Sequence, residues 1–142
     1  MDYGIQLGRR FRSLKLWFVL RYFGVEGLQS RLREHIRLGQ FFAKWIDEDQ
    51  SFERLAPTPF STICFRAKTE NKNDDDKLNE LNEKLMNKIN STGKVFLTHT
   101  KLNGKFTIRL CISGLRTEEK HVELAWNVIR EELNNILSKG KI

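Results

Sequence analysis

The side chains that carry most protein chemistry are few in this chain and lie far apart. His35, His99 and His121 are separated by 64 and 22 residues, and Cys64 and Cys111 are its two cysteines. Zinc sites draw four ligands from closely spaced Cys and His pairs, so this spacing predicts no metal site. Each histidine has an ordinary structural reading. His35 belongs on the surface of an arginine-rich helix. His99 sits in a strand between Thr98 and Thr100, placed to hydrogen-bond near a domain boundary. His121 falls in the first turn of the last helix. The cysteines lie inside apolar, strand-like runs and read as free buried thiols in a reducing compartment. A disulfide between them requires neighbouring strands of suitable geometry. No local motif suggests a Ser-His-Asp set. Gly24-x-x-Gly27 is not a phosphate loop, because no strand or Gly-Lys-Ser/Thr follows it.

Charge adds a question but no answer. The formal net charge is +7, from 25 Lys and Arg against 18 Asp and Glu. That balance raises nucleic acid or an anionic surface as a partner. The cations are scattered, however. Arg9, Arg10, Arg12, Lys15 and Arg21 crowd one end; Arg31, Arg33 and Arg37 alternate with Glu26 and Glu34; Lys84 and Lys88 mix with Glu80 and Glu83. The expectation is a solvated or subunit-facing surface, with no nucleic acid bound. No secretory signal opens the chain, and its apolar runs are too short to span a bilayer. A cytoplasmic protein that engages no membrane is expected.

The elements that position these residues follow from periodicity. Leu14, Trp17, Val19, Leu20 and Phe23 keep helical spacing, with Leu16 and Phe18 widening the apolar face. Gly24 ends or bends that helix. A second helical stripe runs through Leu28, Leu32, Ile36, Phe42 and Ile46, finishing near Asp47-Glu48-Asp49, where the helix dipole disfavours acids. Phe60 to Ala67 reads as a strand covered on both faces. Thr69 to Asp76 is a polar loop whose aspartates cap a helix with Leu78, Leu81, Leu85 and Ile89 on one stripe. Val95 to Leu102 and Lys105 to Ser113 read as a hairpin turning at Asn103-Gly104. Thr117 caps a last helix lined by Val122, Ala125, Trp126, Ile129, Leu133 and Ile136. Trp17, Trp45 and Trp126 each fall in an apolar stripe and read as core residues. The order is α, α, β, α, β, β, α: an α+β layer in which N-terminal helices precede a small antiparallel sheet covered by helices.

One stretch carries more than the rest. Leu7-Gly8-Arg9-Arg10-Phe11-Arg12-Ser13-Leu14-Lys15-Leu16-Trp17, continuing through Phe18-Val19-Leu20-Arg21-Tyr22-Phe23-Gly24-Val25-Glu26-Gly27-Leu28, closely resembles the segment opening the C-terminal region of the group II pyridoxal-phosphate (PLP) decarboxylases. The nearest pattern is that of the aromatic-L-amino-acid decarboxylases. The resemblance reappears at Leu102 to Ile112 and at His121-Val122 with Ala125-Trp126, so it spans nearly the whole chain. It implies the C-terminal small domain of a fold type I PLP enzyme. Residues 1–50 become a helical segment joining large and small domains, and residues 51–142 the small domain. Because the chain starts at this motif, it looks like the last third of such an enzyme.

The resemblance also says what to look for. A PLP enzyme needs a Schiff-base lysine and an acid partner for the pyridine nitrogen. In the family that lysine follows a histidine, and here His35, His99 and His121 precede Ile36, Thr100 and Val122. The family's Asp-x-Ala-x-x-Gly signature is missing too. The expectation is no catalytic residue and no cofactor on this chain alone, with PLP bound by a full-length enzyme that includes an N-terminal PLP-binding domain, takes an amino-acid substrate and forms a homodimer. By resemblance, Gly8 lies beside the substrate pocket, where a side chain would intrude on the substrate ring. The alternative is a glycine needed only for backbone conformation before a helix. Leu7 and Arg9 are its candidate pocket neighbours, and Gln6 stands where animal members carry proline. The competing reading is a stand-alone basic α+β binding module. From Phe60 onward the order is similar to small RNA- or regulator-binding domains, but Lys105 to Ser113 lacks the aromatic pair of an RNA-recognition strand.

Overall fold

Phe106, Ile108, Leu110 and Ile112 alternate with polar or small residues, and in a strand that alternation sends one set to a single face. A computed structural model, which describes residues 12–69 and 74–139, shows all four buried. Their strand is central. Four strands, β1 (Phe52–Arg54), β2 (Thr62–Ala67), β3 (Thr98–Leu102) and β4 (Lys105–Cys111), form one antiparallel sheet in the order β1-β2-β4-β3. β2 pairs with β4 so that Ile63 opposes Leu110 and Phe65 opposes Ile108. The helices are α1 (Arg12–Glu48), α2 (Asp75–Ser91) and α3 (Glu119–Lys139). Three helices and one small antiparallel sheet among the described residues make an α+β arrangement, as expected.

The chain divides into two compact units, Met1–Arg33 and Glu34–Ile142. In the first, Gly24 takes φ 64° and ψ −179° inside α1, a combination open essentially to glycine alone, and the helix breaks there. Leu16, Trp17, Phe18, Leu20, Tyr22 and Val25 are exposed in this unit. Trp17, expected in a core, is 54% exposed; its ring meets Phe18 edge-on and the Arg21 guanidinium face-on.

In the second unit one core cluster joins all three helices to the inner face of the sheet. Leu38, Phe42 and Ile46 come from α1, Leu85 and Ile89 from α2, and Val122, Ile129 and Leu133 from α3. The buried α1 stripe is therefore His35, Leu38, Phe42 and Ile46, whereas Leu32, placed inside by periodicity, is exposed. Gly39 on the same face lets β2 begin close by: a Cβ there would stand 3.1 Å from Ser61 Cα and 3.2 Å from Phe60 O. Trp45 and Trp126 are half-buried against the core and stack on each other.

Three asparagines of α2 bond the backbone at strand ends and at the β3–β4 turn. Asn82, fully buried, accepts from Ala67 N–H at 2.7 Å and donates to Ala67 O at 2.9 Å. Asn90 does the same for Leu97, at 2.7 and 2.9 Å. This is why β3 starts at Thr98 and not at Val95: the preceding backbone is bonded to a helix side chain. Asn79 accepts from Phe106 N–H at 2.6 Å and donates to Gly104 O at 3.1 Å, fastening the β3–β4 turn. That turn is Asn103-Gly104, with φ of 50° and 79°, as the dipeptide predicts. Asp74 caps α2, its side chain accepting Lys77 N–H at 3.1 Å. At the start of α3, His121 reaches back from the first turn, its Nδ1 accepting the N–H of Glu118, the residue before the helix, at 3.0 Å.

Candidate functional site: the outer face of the sheet

Leu7, Gly8 and Arg9, the substrate-pocket residues implied by resemblance, lie outside the described residues. The described part offers a different candidate surface. The inner face of the sheet is covered by helices, and the outer face carries Thr62, Cys64 and Arg66 from β2 with Thr107, Arg109 and Cys111 from β4.

The two arginines of this face are in different states. Arg66 is buried and holds Glu53 at 2.5 Å and Asp75 at 2.9 Å. Burial works against its charge, but the hydrogen bonds to the two carboxylates more than offset this, so its pKa is raised. Arg109 stands mid-strand opposite Cys64 and Thr98. Its Nε is buried and has no hydrogen-bond partner among the described residues. A buried guanidinium N–H left unpaired costs free energy, and here it is covered by the chain's own atoms. Periodicity places Arg109 on the polar side of a strand but says nothing of its pairing, which is why sequence reasoning passed over it.

The histidines and cysteines differ from expectation in two places. His35 is not on the surface: it is buried, and its Nε2 lies 3.1 Å from Gly114 O, 79 residues away. The helix face was misread because Leu32 and Ile36 outrank a histidine in any hydropathy stripe. His99 stacks on Phe106 with centroids 4.7 Å apart. Both cysteines are free, but Cys64 is half-buried and Cys111 exposed. They sit on neighbouring strands, yet the register sets Cys64 opposite Arg109 and Cys111 opposite Thr62, so they are not a facing pair. Thr62 Oγ1 donates to Cys111 Sγ at 3.4 Å.

Among the lysines of the described residues, Lys77 does not suit PLP. A Schiff-base lysine must reach its neutral amine, which burial or cationic neighbours favour. Lys77, beside a groove of about 540 Å³ lined by Leu78, Leu81, Ile136 and Leu137, is held in the opposite state. Its side chain is 83% exposed and the Asp74 carboxylate at 2.8 Å raises its pKa. Among the described residues no group of three or more His, Cys, Asp and Glu side chains is placed to hold a metal ion. Also among them, no helix is long and apolar enough to cross a membrane.

Comparison with known proteins accounts for this arrangement. Residues 1–68 match the model of the pyridoxal-dependent decarboxylase conserved domain. The chain is 46% identical over 138 residues to tryptophan decarboxylase 2 of Oryza sativa subsp. japonica, covering 97% of this chain and 28% of that protein. Identity, coverage and share are the same for phenylacetaldehyde synthase of Arabidopsis thaliana. A crystal structure of Oryza sativa TDC with PLP and tryptamine superposes with a TM-score of 0.84 at 33% identity, covering 93% of this chain and 28% of that one. The chain thus spans little more than a quarter of the length of the relatives it matches. The opening motif, the four-stranded sheet and these matches agree: residues 1–68 carry the conserved domain of the pyridoxal-dependent decarboxylases, and the chain has the fold of the C-terminal region of such enzymes.

Proposed function

We propose that this chain is the C-terminal portion of a PLP-dependent carboxy-lyase acting on aromatic L-amino acids, and that alone it has no decarboxylase activity. The observation that carries this reading is the match along 97% of the chain to a protein named a tryptophan decarboxylase, of which it covers only 28%. The family's Schiff-base lysine follows a histidine and no His-Lys pair occurs in this sequence, so PLP and the reacting atoms belong to the remaining N-terminal portion. In this reading residues 1–50 join the large and small domains and residues 51–142 form the small domain. The exposed apolar helix of the first unit meets the N-terminal portion and the partner subunit of a cytoplasmic homodimer. Gly8, with Leu7 and Arg9 beside it, borders the substrate pocket. An aldehyde-forming outcome is the second reading, favoured by the equal identity to a phenylacetaldehyde synthase.

The test has two parts. Purified chain mixed with PLP and reduced with borohydride should carry no stoichiometric label on a single lysine, and one selectively labelled lysine would overturn the inactivity. In an enzyme completed with the N-terminal portion of the rice relative, product analysis for amine or aldehyde separates the two readings. There, Gly8→Ser should change the preference between indole and phenol substrates more than the melting temperature. A sharply lower melting temperature with an unchanged preference would leave Gly8 a backbone residue only.

A further inference from the structure

The β3–β4 turn places an asparagine before a glycine at an exposed position, and this pairing has chemistry of its own. Asn103 and Gly104 are both solvent-exposed, and no heavy atom outside their neighbours lies within 4 Å of where a Gly104 Cβ would stand. An asparagine amide can be attacked by the backbone nitrogen of the next residue, and glycine, without a Cβ, hinders that attack least. We propose that Asn103 is a self-modifying site that converts to aspartate and isoaspartate, and that Asn79 is the residue holding this reaction back.

The chemistry needs only water and a base. The Gly104 nitrogen loses its proton to solvent base and bonds to Asn103 Cγ. The Cγ–Nδ2 bond breaks and ammonia leaves with the proton, giving a cyclic imide. Water then opens either imide carbonyl. Cleavage at the side-chain carbonyl gives aspartate. Cleavage at the main-chain carbonyl gives isoaspartate, with an extra carbon in the backbone. No oxidation state changes. Either product puts a carboxylate between Lys101 and Lys105 and lowers the formal charge of +7 by one.

Ring closure requires the Asn103–Gly104 peptide to rotate away from its tight-turn angles, because the nitrogen must approach its own neighbour's side chain. The turn is held against that rotation. Asn103 and Gly104 sit at φ of 50° and 79°, and Leu102 pairs with Lys105 at the end of the ladder. Asn79 reaches across from α2, donating to Gly104 O and accepting from Phe106 N–H. One helix side chain therefore pins both the second turn residue and the first residues of β4.

The experiment is peptide mapping of the 142-residue chain aged at mildly alkaline pH, with isoaspartate counted by enzymatic methylation. The modified peptide should be the one containing Asn103, and its rate should rise with pH. Asn79→Ala should accelerate it several-fold in native buffer, while in strong urea wild type and variant should react equally fast. Asn90→Ala, which removes the clamp on Leu97 from the same helix, controls for general loss of stability and should leave the Asn103 rate nearer to wild type. The proposal is overturned if Asn103 stays intact in both native and unfolded chain. It is equally overturned if native wild type reacts as fast as in urea, or if Asn90→Ala accelerates the reaction as much as Asn79→Ala.

Discussion

Asn82 has no exposed surface, and all its hydrogen bonds go to backbone: Ala67 N–H and O, and Leu78 O at 2.8 Å. A leucine fits the volume and leaves Ala67 N–H and O buried without partners. Each unsatisfied group costs on the order of 1–3 kcal/mol, so Asn82→Leu should lower unfolding free energy by about 3 kcal/mol. Urea unfolding with unchanged slope and lower midpoint is the expected result; wild-type stability would show that Ala67 finds other partners. In the sequence, Asn82 reads as one more polar residue of a helix between Leu78 and Leu85. A buried asparagine is recognisable only once a strand end is seen to need it. The same holds for His35: its hydrogen bond to Gly114 joins positions too far apart in the chain for any local pattern to pair them.

The start of α2 is pH-sensitive by construction. The Lys77 side chain, followed by the Lys77 backbone N–H, holds the Asp74 carboxyl below the usual aspartate range. A carboxyl with a depressed folded pKa contributes stability that is present above its unfolded value and is lost as pH falls through the folded one. Protection of the Lys77 amide and its neighbours, taken relative to their intrinsic exchange rates, should therefore fall as pH drops below the ordinary aspartate range. Asp74→Asn should keep the cap and lose that dependence, because an amide oxygen accepts the same N–H without titrating. If the two proteins lose protection in parallel, Asp74 is not the titrating group. At this scale much was legible beforehand. The Asp run before Leu78, the Asn103-Gly104 turn and the alternation from Phe106 to Ile112 each depend on neighbouring residues, and each matches the structure. β1 was not foreseen: three residues after an acidic run carry no period, and Phe52 is a strand residue only because Ala67 lies opposite. β2 and β3 start later than the apolar runs at Phe60 and Val95 suggest, because Phe60 and Phe96 are exposed.

At the scale of the molecule, the first unit sets the behaviour in solution. Leu16, Trp17, Phe18, Leu20, Tyr22 and Val25 are each at least half exposed, within ten residues of one helix. An apolar surface of that density marks an interface or an aggregation hazard. The purified chain should self-associate, and Trp17→Asp with Phe18→Asp should raise the monomer fraction in sedimentation. A compact wild-type monomer at high concentration, unmoved by those substitutions, would rule out that role for the helix. The candidate pocket was legible only through family likeness, since Leu7, Gly8 and Arg9 show no physical signal of a pocket in their own types.

The distribution of the three tryptophans gives the two units separate optical signatures. Trp17 stands in water in the first unit. Trp45 and Trp126 in the second are half-buried and stacked, centroids 6.4 Å apart and rings 25° from parallel. Indole emission moves to the blue as water leaves the ring, and closely stacked indoles couple their electronic transitions. At dilutions where the chain is monomeric, acrylamide should therefore quench a red-shifted fraction of the emission that disappears in Trp17→Phe. A near-ultraviolet circular dichroism couplet should survive that change and vanish in Trp126→Phe. Followed through a thermal ramp, the two signals time the melting of each unit independently, without any added label. A single coincident transition would mean that the two units unfold as one.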